Sequence, residues 1–181
     1  MKFDTSSKET RYWPFYCEEN IYHLCHSKEL LSFERKVVFI SNRQRCVAMK
    51  NQGSAADSSV SWDYHVILLF RDNHWQVVDL DTRLPRPCPV ADYLSLSFFP
   101  RAADFFPPLF RVVEAADFTS IFSSDRRHMR DEDGAWLQEP PPWSPIRNEL
   151  KESFNLWDFV DMDGVGHGKI HTLEEMAAAF T

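Results

Sequence analysis

The chain has 181 residues, of which 44% are hydrophobic, with 15 Phe, 6 Trp and 5 Tyr but only 5 Gly. That composition suits one domain spanning 1–181 with a packed core and excludes a fibrous or low-complexity chain. A formal net charge of -7 leaves no basic footprint for a phosphate backbone, so nucleic acid is not an expected partner.

Met1 to Thr10 lacks the apolar core of a signal peptide, and no run of about 18 apolar residues occurs to cross a bilayer. A soluble, intracellular protein with no membrane association is expected. Cys17, Cys25, Cys46 and Cys88 contain no CxxC pair, which disfavours a metal or dithiol site. In a reducing compartment each thiol reads first as a buried free cysteine.

In chain order, Glu18 to Leu31 carries a partial helical stripe (Ile21, Leu24, Cys25, Leu31) with two acids in the first turn, which predicts a helix starting at or just after Cys17. Arg35 to Ser41 reads as a strand, Asn42 to Arg45 as a turn, and Cys46 to Met49 as a second short strand. Asn51 to Ser61 is small and polar, fitting an exposed loop. Trp62 to Phe70 and Trp75 to Leu80 flank Arg71-Asp72-Asn73-His74 and predict a β-hairpin.

Prolines at 85, 87, 89, 107, 108 and 140–142 break the next stretch and forbid long helices or central strands. Only the apolar run Phe110 to Val113 stands out there. Leu150 to Phe159 and Thr172 to Phe180 read as short helices, the latter opened by Thr172 and Glu175 at capping-box spacing.

A hydrolytic cysteine needs a base that also protonates the leaving group, and a third group that orients the base. A hairpin centred on Asp72, with Asn73 as its left-handed residue, places His65 directly opposite Asp79 on one face. Asp81 is the alternative orienter, and this register sets it opposite Asp63. Cys17, at a helix start, has N–H groups and a dipole that favour a thiolate, while Glu18 and Glu19 oppose it. Cys25 lies on the apolar stripe, and neither Cys46 nor Cys88 is placed at a helix start.

The blocks Tyr16 to Ile21 (YCEENI), Val38 to Asn42 (VFISN), Trp62 to Val66 (WDYHV), Asp79 to Thr82 (DLDT), Ser124-Asp125-Arg126 with His128-Met129, and Glu139 to Pro142 (EPPP) occur in an order that resembles the protein N-terminal glutamine amidohydrolase family. The likeness covers roughly residues 16 to 145 and continues more weakly to the C-terminal helices. It implies an α+β fold, a papain- or transglutaminase-like α-β-α sandwich with a mainly antiparallel central sheet. It also implies a Cys-His-Asp triad, which falls by motif on Cys17, His65 and Asp79. The implied activity is deamidation of N-terminal glutamine to glutamate, with proteins or peptides bearing that residue as partners and no cofactor or metal. A place in the N-degron pathway, a monomeric state, and a cytoplasmic location with the nucleus as a second compartment complete what the resemblance implies.

Trp62, Asp63 and Tyr64 flank the histidine and are candidates to line a substrate slot. Glu18, Glu19, Asp63 and Asp125 are candidates to meet the substrate α-ammonium. A thiol protease, an acyl transferase and a non-catalytic interaction domain remain the alternatives. The segment Asp161 to Ile170 resembles the opening of a calcium-binding loop. Val165 and Thr172 stand where oxygen ligands would be needed, so a glycine-rich turn between helices is expected.

Overall fold

The computed structural model describes residues 11–54, 59–99, 106–150, 152–164 and 166–181. The elements run α1 (Cys17–Leu24), β1 (Glu34–Ser41), β2 (Val47–Met49), β3 (Val60–Trp62), β4 (His65–Arg71), β5 (Trp75–Val78), β6 (Cys88–Pro89), α2 (Val90–Ser97), β7 (Leu109–Glu114), α3 (Ala115–Ile121), α4 (Leu156–Val160), β8 (Lys169–His171) and α5 (Leu173–Phe180). Among the described residues, no helix is long and apolar enough to cross a membrane.

Six strands form one sheet in the order β6-β5-β4-β1-β7-β8, and every neighbouring pair is antiparallel. The unbroken apolar runs of β1 and β4 occupy its middle because both of their faces are covered. Val37 and Phe39 of β1, with Val66 and Leu68 of β4, pack on α1, α3 and α4 through Ile21, Phe118 and Phe159. The alternate residues Val38, Ile40, Ile67 and Leu69 pack on α2 and α5 through Tyr93, Leu94, Met176 and Phe180. The fold is α+β, with helices on both faces of an antiparallel sheet. β2 and β3 form a separate ribbon.

The hairpin exists, but its register differs from the expected one. Arg71 pairs with Trp75 and Leu68 with Val78, so the turn is Asp72-Asn73-His74, centred one residue later than Asp72. Asn73 is not left-handed; the described non-glycine residues with positive φ are Phe15, Arg45, Asn51 and Arg126. Instead the Asp72 carboxylate accepts the N–H of His74 at 3.1 Å and closes the turn from its side chain. The shift moves each partner by two positions, which preserves the face. His65 and Asp79 therefore remain on one side although the ladder ends at Val78 and does not pair them.

Other boundaries also moved. α1 stops at Leu24, where His26 and Ser27 turn back on His23 and Leu24, and Leu31 is exposed. The expected strand from Trp62 is interrupted at Asp63-Tyr64, and the helix expected from Leu150 starts at Leu156. α2, α3, β6 and β8 were not anticipated. Their periodic stretches are too short to declare themselves. The glycine-rich turn leads from α4 into β8 rather than into a helix. Its carbonyls at Gly164 and His167 accept from the buried Arg111 guanidinium at 3.3 and 3.1 Å, and that of Asp161 does too. A protein cation thus sits where a calcium loop would turn its oxygens inward.

Thr172 and Glu175 form the anticipated reciprocal cap of α5. Thr172→Ala is expected to cost about 1 kcal/mol and to lower Tm by roughly 2–4 °C for a domain of this size, measurable by calorimetry.

Candidate active site

Asp79 leaves the end of β5 with no exposed surface. Its Oδ1 accepts His65 Nε2–H at 2.9 Å and the N–H of Asp81 at 2.9 Å. Its Oδ2 accepts the Tyr93 hydroxyl of α2 at 2.8 Å and Gln52 Nε2 at 3.2 Å. Burial alone would raise the pKa of Asp79. The His65 charge and hydrogen bond, with the Asp81 N–H and Tyr93, outweigh it and hold the carboxyl below its ordinary range.

The converse holds at His65, the first residue of β4. Its burial disfavours the imidazolium, but the Asp79 carboxylate, aided by Asp81, overcomes that and raises the pKa above the usual histidine value. The Trp62 indole stacks on the imidazole, with centroids 5.8 Å apart and planes at 17°. Because a carboxylate only accepts, Asp79 fixes the proton on Nε2 and leaves Nδ1 as the free basic nitrogen.

Cys17 opens α1 as a half-buried free thiol. The thiol lines one cavity with Tyr64 and His65, at the start of β4. Burial first, and then the Glu18 carboxylate, pushes the thiol pKa well above its ordinary value, and the Val66 N–H offsets this only in part. The helix start therefore does not prevail over desolvation and like charge. Cys25 and Cys88 are buried free thiols as expected, whereas Cys46 is exposed because it sits at the surface end of the turn before β2.

The two adjacent acids of α1 have separate environments. Glu18 is buried behind the sulfur, with Oε2 3.7 Å from Cys17 Sγ and accepting from the Tyr64 hydroxyl at 3.0 Å. Its Oε1 lies 3.4 Å from His128 Nε2. Glu19 turns the other way, taking Arg126 through Nε at 2.7 Å and Nη2 at 2.9 Å, and Trp143 Nε1 at 2.7 Å. Arg126 also donates to the carbonyls of Pro141 and Trp143. Glu19 thus anchors the proline-rich segment and does not line the cavity at the thiol. Asp125 is held by Arg127, with Nη2 2.6 Å from Oδ2, and also stands apart from that cavity.

Cys17 and His65 share a cavity of about 200 Å³ with Trp62, Asp63 and Tyr64. Asp63 Oδ1 accepts the N–H of Tyr64 at 3.0 Å. Phe15, Asp81, His128, Met129 and Leu137 complete the walls. Asp81 Oδ1 accepts the Tyr12 hydroxyl at 2.7 Å, and burial raises its pKa. His65, Asp79 and Asp81 each offer a ligand atom within 4.8 Å of the others. Both Asp79 oxygens and one of Asp81 are already committed to protein donors, an arrangement that suits a hydrogen-bonded proton relay better than an ion.

Gln52 and Tyr93 escaped sequence reasoning. Gln52 sits in a stretch whose composition reads as solvated loop, and Tyr93 in a helix without a clear apolar period. No local signal marks either as a partner of Asp79.

A model of the N-terminal glutamine amidase family matches residues 12–180. The chain is 40% identical over 178 residues to the protein N-terminal glutamine amidohydrolase of Bos taurus, an alignment covering 92% of this chain and 84% of the relative. The protein of the same name from Homo sapiens is 39% identical over 178 residues (91% and 85%). That from Arabidopsis thaliana is 39% identical over 165 residues (83% and 75%).

Removing the charge beside the sulfur in Glu18→Gln should lower the Cys17 pKa, so the pH profile of alkylation by iodoacetamide moves to lower pH; an unmoved profile contradicts the assigned role of Glu18. The depressed Asp79 pKa contributes stability above the ordinary carboxylate range that is lost as pH falls through the folded value. The raised His65 pKa contributes stability below the ordinary histidine range that is lost as pH rises through the folded value. Urea melts should therefore show wild type most stabilised relative to Asp79→Asn between about pH 4 and 6.5, with the difference narrowing on both sides.

Proposed function

Because the chain belongs to the N-terminal glutamine amidase family, we propose that it deamidates glutamine at the amino terminus of proteins and peptides, with Cys17 as nucleophile, His65 as acid and base, and Asp79 as the orienter of His65. It is a hydrolase by that membership. The observation that carries the residue assignment is the buried Asp79–His65 pair, whose imidazole lines a cavity sized for a single residue together with the half-buried Cys17 thiol.

His65 Nδ1 takes the thiol proton as the sulfur attacks the side-chain carboxamide carbon. Asp79 makes that transfer feasible by raising the basicity of the imidazole while the thiol is held protonated at rest. The tetrahedral oxyanion is met by backbone N–H groups of the first turn of α1, which has no side-chain cap. Collapse expels ammonia with the proton from His65 and leaves a γ-glutamyl thioester on Cys17. His65 then deprotonates water, which attacks the thioester, and the sulfur leaves as the product becomes an N-terminal glutamate. Glutamine and water are consumed; glutamate and ammonia are released.

Selectivity follows from the size of the cavity and its charge. Asp63 and Asp81 offer negative charge to the α-ammonium, while Trp62 and Tyr64 confine the side chain. Internal glutamine lacks that charge. Asparagine, one methylene shorter, misplaces its carbonyl, an ångström-scale error that costs on the order of 100-fold in rate.

Helices on both faces of an antiparallel sheet accord with the papain- or transglutaminase-like sandwich implied by the resemblance. We extend the proposal to a single monomeric catalytic unit acting in the cytoplasm and nucleus, in the N-degron pathway, where a new N-terminal glutamate is the useful product.

Incubation with a Gln-initiated peptide should release one equivalent of ammonia and raise the peptide mass by about one dalton, as a thioester route without chain cleavage requires. Cys17→Ala should abolish turnover, and His65→Ala should also slow alkylation of Cys17. Cleavage of the chain, transfer to an added amine in place of water, or full activity in Cys17→Ala would overturn the proposal.

A further inference from the structure

Glu18 is wholly buried behind the Cys17 sulfur, with Oε2 3.7 Å from Sγ. Its charge is met differently from that of its neighbour. Glu19 has the Arg126 guanidinium on both oxygens. Glu18 has the Tyr64 hydroxyl on Oε2 and His128 Nε2 at 3.4 Å from Oε1, which has no hydrogen-bond donor among the described residues. A neutral Gln would accept from the same hydroxyl at a smaller desolvation cost than a carboxylate. The carboxylate also helps to hold the thiol in its protonated form, which hinders attack. Hydrogen bonding and thiol activation therefore both leave the charge unexplained.

We propose that the Glu18 charge selects against a carboxylate at the sulfur, so that it separates glutamine from glutamate and drives the product out of the cavity. This role rests on the function proposed above and deepens it. The carboxamide and the thioester are both neutral. The tetrahedral states between them carry an oxyanion, but His65 is then an imidazolium and offsets it. Once the sulfur has left with the proton from His65, the γ-carboxylic acid ionises and its proton passes to solvent. Only then does a lasting negative charge stand beside Glu18 with no new cation to balance it.

Distance sets the scale of the effect. The product carbon has just broken its bond to Sγ, so the two carboxylates start a few ångströms apart. Unit charges about 5 Å apart in a typical protein environment repel by enough to shift a binding constant about 100-fold. Solvent reaching the cavity weakens that repulsion, and a penalty of about tenfold on glutamate is the expected size. Asp63 and Asp81 also line the cavity, but the function proposed above sets them against the α-ammonium, which balances their charge. Glu18, at the sulfur, faces the end of the residue that changes charge.

The surroundings keep that charge in place. The Tyr64 hydroxyl donates to Glu18 Oε2, so its oxygen accepts from His128 Nε2 at 3.3 Å. Tyr64 and His128 both line the cavity, and both rings pack on the Trp157 indole, with centroids 6.3 and 6.0 Å away. The carboxylate is thereby held from two sides and shut off from water. A charge so placed is screened much less than an exposed one.

The experiment measures, by calorimetry, the binding of Gln-Ala-Ala amide and Glu-Ala-Ala amide to Cys17→Ala protein, beside ammonia release from the first peptide by wild type. In Cys17→Ala the Kd of the Glu peptide should exceed that of the Gln peptide by about tenfold or more. Adding Glu18→Gln should lower that ratio about tenfold through tighter binding of the Glu peptide, with the Gln peptide unchanged. Glu18→Asp, which keeps the charge, should keep most of the ratio, whereas a merely structural role would move both peptides together. The first comparison leaves Glu18 untouched and holds even where Glu18→Gln does not fold. Equal affinities in Cys17→Ala, or a ratio that Glu18→Gln leaves unchanged or Glu18→Asp lowers just as much, overturns the role of Glu18. Ammonia release by wild type then keeps the deamidation reading intact. Absence of ammonia from wild type overturns that reading, and the role of Glu18 with it.

Discussion

An ionised carboxylate removed from water costs several kcal/mol even after relaxation, and Asp79 is wholly buried. The cost is offset by four donors from separate parts of the chain: the imidazole at the start of β4, the hydroxyl of Tyr93 on α2, the amide of Gln52 and the backbone of Asp81. Each donor also fixes the others. The loop at Gln52, the helix that covers one face of the sheet and the strand that carries His65 all converge on one pair of oxygen atoms. The site is thus stiff because the protein cannot relax any one of these elements without exposing a charge to an apolar interior.

The same constraint sets the reactivity. Asp79 strengthens His65 as a base, whereas burial and Glu18 hold the Cys17 thiol in its protonated form. A protonated thiol is a poor nucleophile and a poor target for oxidants. In the proposed reaction, reactivity is therefore conferred when an amide is presented and the proton can move to His65, and not as a standing property of the sulfur.

The adjacent residues Glu18 and Glu19 show how a helix divides labour. Successive residues point about 100° apart at 3.6 residues per turn. One carboxylate faces the thiol, Tyr64 and His128, while its neighbour is buried against Arg126 and Trp143. Glu19 binds the segment that follows the 3-10 turn at Arg127–Met129 to the helix that carries Cys17. His128 and Met129 thereby gain a fixed place on the cavity wall.

Much of the frame was legible in the residues themselves. The apolar runs of β1 and β4 announced strands, Thr172 and Glu175 a helix start, and the stripe after Cys17 a helix beginning at or just after that residue. The even spacing of His65 and Asp79 placed them on one face, and that conclusion survived a register different from the expected one because a two-position shift does not change sides. Periodicity records which face a side chain takes, but not which distant segment will cover it. The partnership of Gln52 and Tyr93 with Asp79, the opposite environments of Glu18 and Glu19, and the place of Phe15, Trp62 and Asp81 in the lining of two neighbouring cavities were decided by tertiary packing. In each case a buried polar group or a void acquires its partner only when segments far apart in the chain close around it.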